Sequence, residues 1–72
     1  MLVRRYAIKS KIISSVRYSR ISGELTLNFA NGKAYRYSRV PHSVVQSLLK
    51  SASPGSFFIE QIRDQYRRRE VR

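Results

Sequence analysis

Residues 24–32, Glu-Leu-Thr-Leu-Asn-Phe-Ala-Asn-Gly, constrain the fold more than any other stretch of this 72-residue chain. Leu25, Leu27 and Phe29 alternate with Glu24, Thr26 and Asn28, the two-residue period of a strand that buries one face. Asn31-Gly32 then supplies a strong hairpin signal. The following strand carries Tyr35 and Tyr37 alternating with Ala34, Arg36 and Ser38. A two-residue loop would set Leu27 opposite Arg36 and place an arginine on the apolar face. A three-residue loop, Ala30 to Gly32 with Gly32 left-handed, sets Leu27 opposite Tyr35 and Leu25 opposite Tyr37. Directly opposed residues share a face, so only the second register keeps the apolar set together. The expected hairpin therefore has a three-residue loop with a glycine bulge.

Elements on either side follow from the same kind of pattern. From Ile12, the residues Ile12, Ser14, Val16 and Tyr18 alternate with Ile13, Ser15, Arg17 and Ser19, and a turn follows at Ser22-Gly23. After Val40-Pro41, with Pro41 suited to a helix start, Val44, Val45, Leu48 and Leu49 recur at helical spacing. Ser53-Pro54-Gly55-Ser56 breaks that helix, with Ser56 the expected N-cap of a second one. There Phe58, Ile62 and Tyr66, joined by Ile59, make one apolar stripe. Arg67-Arg68-Arg69 then fall where a helix dipole favours cations. The expectation is a single α+β domain over 1–72: an N-terminal arm (1–11), a small antiparallel β-meander of three or four strands (12–40), and two short helices (41–52 and 56–70, the second with a basic tail) packed on one sheet face.

Charge dominates the composition. Fifteen Lys and Arg stand against four acids, for a net charge of +11, and eleven of the fifteen are Arg, whose fork suits carboxylate and phosphate. Residues 1–23 carry Arg4, Arg5, Lys9, Lys11, Arg17 and Arg20 with no acid. With Arg36 on the open sheet face, these are the expected partner-binding residues. Arg63, Arg67, Arg68 and Arg69 form a second basic cluster, partly offset by Asp64 and Glu70. Such a field draws anionic partners and says nothing about fold. Tyr35 and Tyr37 could stack on bases, but the chosen register turns both towards the helices and gives them a structural role.

Catalysis finds no support. His42 is the lone histidine and there is no cysteine, so neither a nucleophile–base pair nor a zinc site can be assembled. The four acids are too scattered for a paired-carboxylate site, and no glycine-rich phosphate loop is present. The chain is expected to be non-enzymatic, without metal or cofactor, and a monomer. It has neither a membrane-length apolar run nor an apolar segment of a secretory signal, so a cytoplasmic location is expected and no membrane partner.

From about Ser14 to Tyr66 the residues resemble the KTSC domain, named after the C-terminal extension of some lysyl-tRNA synthetases. The matching pieces are Leu25-x-Leu27-x-Phe29, Asn31-Gly32, Tyr35-Arg36-Tyr37, Val40-Pro41, Leu48-Leu49, Ala52-Ser53-x-Gly55, Phe57-Phe58, Ile62-Arg63 and Tyr66. The chain departs from the pattern at Ser19-Arg20-Ile21 and is more basic at both ends. The resemblance implies an α+β domain, with RNA or tRNA binding as one role. A short, lone, arginine-rich domain of this kind is also similar to phage-encoded transcription regulators. That similarity implies an acidic surface of host bacterial RNA polymerase as partner, with inhibition of initiation, antitermination or both as the outcome.

Overall fold

The computed structural model describes residues 3–6, 8 and 10–71. Its elements run β1 (Val3–Tyr6), β2 (Ile13–Ser19), β3 (Glu24–Phe29), β4 (Ala34–Tyr37), α1 (His42–Lys50), α2 (Pro54–Gln61) and β5 (Arg68–Val71). All strands join one antiparallel sheet in the order β1-β2-β3-β4-β5. Val16, Tyr18, Leu25, Leu27 and Tyr37 bury one sheet face against Val45, Leu48, Phe58 and Ile62 of the helical segment. The fold is thus α+β, with an antiparallel meander followed by two helices on one face.

The central hairpin has the register that the alternation demands. Leu25 pairs with Tyr37, Leu27 with Tyr35, and Thr26 with Arg36. The Phe29 N–H donates to the Lys33 carbonyl at 2.8 Å and the Gly32 N–H to the Phe29 carbonyl at 3.0 Å. Gly32 sits at φ 89°, the left-handed conformation a three-residue loop requires.

Several expectations are corrected. In β2 the core residue is Ile13, fully buried, while Ile12 is 47% exposed. Ile13 pairs with Phe29 and Ser15 with Asn28, leaving Ser14 as the extra residue of a bulge. Its hydroxyl donates to the Asn28 carbonyl at 3.0 Å. A bulge inverts the side-chain phase on one side of it, which simple alternation through residues 12–19 could not register. Residues 3–6 of the expected arm are a fourth meander strand, with Tyr6 opposite Val16.

The largest correction lies at the C-terminal end, where the expected helix over 56–70 is a shorter helix, a turn and a fifth strand. Pro54 occupies the first helical turn behind Ser53, so α2 begins before Ser56. It stops because the Phe58 carbonyl accepts both the Ile62 N–H at 3.0 Å and the Arg63 N–H at 2.8 Å, the six-residue closure that ends helices. Ile59 is left 42% exposed, off the stripe assigned to it. The chain then returns beside β4, where the Ser38 N–H donates to the Arg67 carbonyl at 3.1 Å. Pairing there satisfies backbone groups that β4 would otherwise present as a bare edge. The first helix is likewise two residues shorter than 41–52 at its end, with Pro41 as its N-cap.

Two tyrosines in equivalent core positions differ in what their hydroxyls find. Tyr18 donates to the Val40 carbonyl at 2.7 Å in a buried hydrogen bond. The Tyr37 hydroxyl is buried with no hydrogen-bond partner among the described residues. Burial pushes both phenols above the usual 10.0; Arg20 opposes the rise at Tyr18, and Arg68 at Tyr37. A phenol raised in the folded state contributes stability that is complete below the unfolded value and lost as pH climbs through the folded one. Stability should therefore hold up to about pH 10 and fall above it. Tyr18→Phe should destabilise by about 1–2 kcal/mol, because it strands a buried carbonyl, whereas Tyr37→Phe should be neutral or mildly stabilising. Thermal melts of the two variants against the parent check both, and equal losses would contradict the different hydrogen bonding of the two rings.

Candidate functional site

Since Val16, Tyr18, Leu25, Leu27 and Tyr37 face the helices, strand alternation turns Arg17, Thr26 and Arg36 to the opposite face. Pairing brings these three residues into one row. Arg17 lies opposite Thr26, Thr26 opposite Arg36, and Arg36 opposite Arg69 of β5. On the other side of Arg17 the register partner is Arg5 of β1. Every strand except the central one thus contributes an arginine position to a single cross-strand row. Arg17 and Arg69 are exposed and Arg36 half-buried. Asn28 and Ser15 continue the polar face one step along, joined by a hydrogen bond of 3.0 Å from the Asn28 amide to the Ser15 hydroxyl.

The row contains like charges directly opposite one another, Arg36 against Arg69, with Arg5 and Arg17 also paired in register. Such pairs oppose sheet formation. Among the described residues the one ion pair is Arg63 with Asp64 at 3.7 Å, both well exposed, and its contribution to stability is small. Arg17, Arg36, Arg67, Arg68 and Arg69 therefore have no carboxylate partner among the described residues. At one end of the row Arg36, Arg67, Arg68 and Arg69 line a hollow of about 380 Å³ together with Ser38 and Glu24. The Arg68 side chain, opposite Tyr37 in register, turns to the helix-facing side instead, its guanidinium carbon 4.7 Å from the centroid of the Tyr35 ring, a cation–π contact.

The backbone next to Ser38 and Glu24 is strained but well anchored. Arg39 adopts φ 57°, a conformation uncommon outside glycine. It is backed by Gly23, itself at φ 76°, where an added Cβ would lie 3.4 Å from the Arg39 Cα. The Val40 N–H donates to the Gly23 carbonyl at 2.8 Å, tying the β2–β3 turn to the start of the helical segment.

A repeated tetrapeptide, a signal that periodicity and charge counts do not register, anticipates the row. Arg-Tyr-Ser-Arg occurs twice, at 17–20 and at 36–39. The two copies flank β3 in matching register, so Arg17 and Arg36 bracket Thr26 while Tyr18 and Tyr37 bracket Leu25. Each copy sends one arginine to the open face and one tyrosine to the core. Two strand spacings put the bracketing arginines about 10 Å apart at the backbone.

The two basic clusters expected from the sequence are regrouped. Arg17, Arg36 and Arg69 come together, drawn from both clusters, with Arg67 beside them, while Arg68 turns to the Tyr35 ring on the other face. Arg63 stands apart in the turn after α2, beside Asp64. Lys11 lies in the bend before β2 and Arg20 in the turn after it, both exposed and outside the row. Arg4 and Arg5 are in β1, opposite Tyr18 and Arg17; the surroundings of their side chains lie outside the described residues, as does Lys9 altogether. Tyr37 is fully buried and Tyr35 half-buried, in edge-on contact with Phe58 and Phe29 respectively. Neither ring is on the open face. His42 stacks on Tyr18 with centroids 6.0 Å apart. Among the described residues no three His, Cys, Asp or Glu side chains gather as metal ligands, and no helix is long and apolar enough to cross a membrane.

Relief of the opposed charges is measurable without a ligand. Arg69→Thr should stabilise the domain by roughly 0.2–1 kcal/mol at low ionic strength, with the gain shrinking as salt screens the repulsion. Denaturant melts at two salt concentrations read this directly. A destabilised variant would mean that Arg69 contributes packing that outweighs its charge.

Comparison with known proteins matches these features to one family. The model of the KTSC domain matches residues 9–66. A protein of Stutzerimonas stutzeri (strain A1501), described only as uncharacterized, is 35% identical over 66 residues, covering 92% of this chain and 93% of its own. The crystal structure of a KTSC domain protein from Yersinia pestis superposes with a TM-score of 0.92 at 25% identity, covering 99% of this chain and all of that one. With its meander, two-helix cover and central Tyr35-Arg36-Tyr37 in place, the chain belongs to the KTSC domain family.

Proposed function

We propose that the protein is a non-enzymatic module that binds the phosphate backbone of RNA across its open sheet face. The supporting observation is the register row Arg5–Arg17–Thr26–Arg36–Arg69, which keeps like charges opposite one another. A polyanion converts that repulsion into binding. The face offers no aromatic platform, since both tyrosines of β4 pack towards the helices, so base stacking contributes little there. Among the described residues it also offers no large apolar anchor of the kind that carries a protein–protein interface. Ser15, Thr26 and Asn28 add hydroxyl and amide groups that suit ribose and phosphate oxygens. Recognition by such a surface is electrostatic and tolerant of sequence.

A second reading, docking on an acidic surface of bacterial RNA polymerase to regulate transcription, is favoured by a different observation. Ile21 is 75% exposed in the β2–β3 turn, next to the exposed Arg20, an apolar anchor beside a charge at one end of the molecule. Charge would steer that encounter and Ile21 would fix its register. Ile21→Ser should abolish capture of polymerase subunits from nuclease-treated bacterial lysate on this reading, and leave RNA binding untouched on the first.

The RNA reading is checked by fluorescence anisotropy on a single-stranded oligonucleotide. The logarithm of affinity should fall linearly with the logarithm of salt, with a slope of about −2 to −3 for three or four phosphates neutralised. Arg17→Ser and Arg69→Ser should each make the slope shallower by about 0.7 while the circular dichroism spectrum is retained. Slopes that do not respond to these variants would move the interface off the sheet face.

A further inference from the structure

The hollow at the β4–β5 end of the row differs from the rest of the face in charge density and in shape. Arg36, Arg67 and Arg69 line it from the open face with a single acid, Glu24, and none of these arginines is paired with a carboxylate among the described residues. A phosphodiester in an RNA backbone carries one negative charge. A phosphomonoester carries close to two at pH 7, with its second pKa about 6, and presents three free oxygens instead of two. Three guanidinium forks around one concavity are in excess for a diester and matched to a monoester, which can take forked contacts from more than one side. The Ser38 hydroxyl lines the same space, while the Ser38 N–H is committed to the Arg67 carbonyl.

Resting on the RNA-backbone reading, we infer that this hollow receives the terminal phosphate of an RNA strand, with the following nucleotides running along the arginine row towards β2. The module then recognises an RNA end in preference to an internal segment.

The test compares one short single-stranded RNA in 5′-phosphorylated and 5′-hydroxyl forms, labelled at the 3′ end, at physiological salt. The phosphorylated RNA should bind about tenfold tighter, the size expected of one well-formed set of charge-assisted hydrogen bonds. This advantage should fade between pH 7 and about pH 5.5, as the ester takes up its second proton, while affinity for the hydroxyl form changes little. Arg67→Gln, at an exposed position outside the paired strands, should remove the advantage and leave the hydroxyl form bound nearly as before. Arg17→Ser, at the far end of the row, should weaken both RNAs by the same factor. Equal affinity of the native protein for the two RNAs would overturn the inference and leave backbone binding standing. Failure to bind either RNA would overturn both. Adenosine monophosphate alone, read by thermal shift, separates the remaining source of such a group: binding as tight as that of the phosphorylated RNA would reassign the hollow to a small phosphorylated molecule.

Discussion

The three-residue loop between β3 and β4 is the constraint from which the rest of the molecule follows. Gly32 in the left-handed region allows Phe29 to pair with Lys33 across Ala30–Gly32, and that pairing decides which way β4 faces. With a two-residue loop, Arg36 would be driven under the helices and the tyrosines turned to solvent. Instead Tyr35 and Tyr37 join Leu25 and Leu27, and the helical segment gains a face on which Phe58, Leu48 and Ile62 can pack. The same choice, by parity alone, puts Arg36 across from Thr26 on the far side. Core and candidate interface are two consequences of one register.

What turns a few basic residues into a surface is strand pairing at the edges. β5 aligns Arg69 with Arg36, and β1 aligns Arg5 with Arg17. Neither alignment is favourable in electrostatic terms, and both are held by backbone hydrogen bonds and by the core beneath. Side-chain repulsion of this size is small beside the burial of ten or so apolar side chains. The fold can therefore carry a row of mutually repelling cations, and that row is where affinity for a polyanion resides. The repeated Arg-Tyr-Ser-Arg tetrapeptide shows the arrangement in miniature, since each copy contributes to the core and to the charged face through adjacent residues.

The family match ends at Tyr66, just before the strand that contributes Arg68 and Arg69. The similarity of structure extends further, over nearly the whole chain. The strands β2 to β4, the helices and the tyrosine pair thus lie within the family match, while the completed row depends on two edge strands outside it, β1 and β5, and the hollow on β5.

Much of this was legible in the residues themselves. The alternation of 24–29, the glycine at 32 and the tyrosines at 35 and 37 determine the central hairpin, its register and its buried face. Pro41 and the breaks around 53–55 determine that two short helices follow. Local periodicity failed in two places for distinct physical reasons. The bulge at Ser14 changes phase within a strand, so Ile13 and not Ile12 reaches the core, and only the partner strand enforces that shift. Residues 67–71 have no strong intrinsic preference for a strand: three arginines suit a helix end as well, and they become β5 because an unpaired edge of β4 stands beside them. The sequence by itself determined that the protein is basic and which residues of the central hairpin form its core. Where its arginines meet was decided by tertiary structure, because cross-strand neighbours are made by backbone pairing, and Arg36 and Arg69 come from segments more than thirty residues apart.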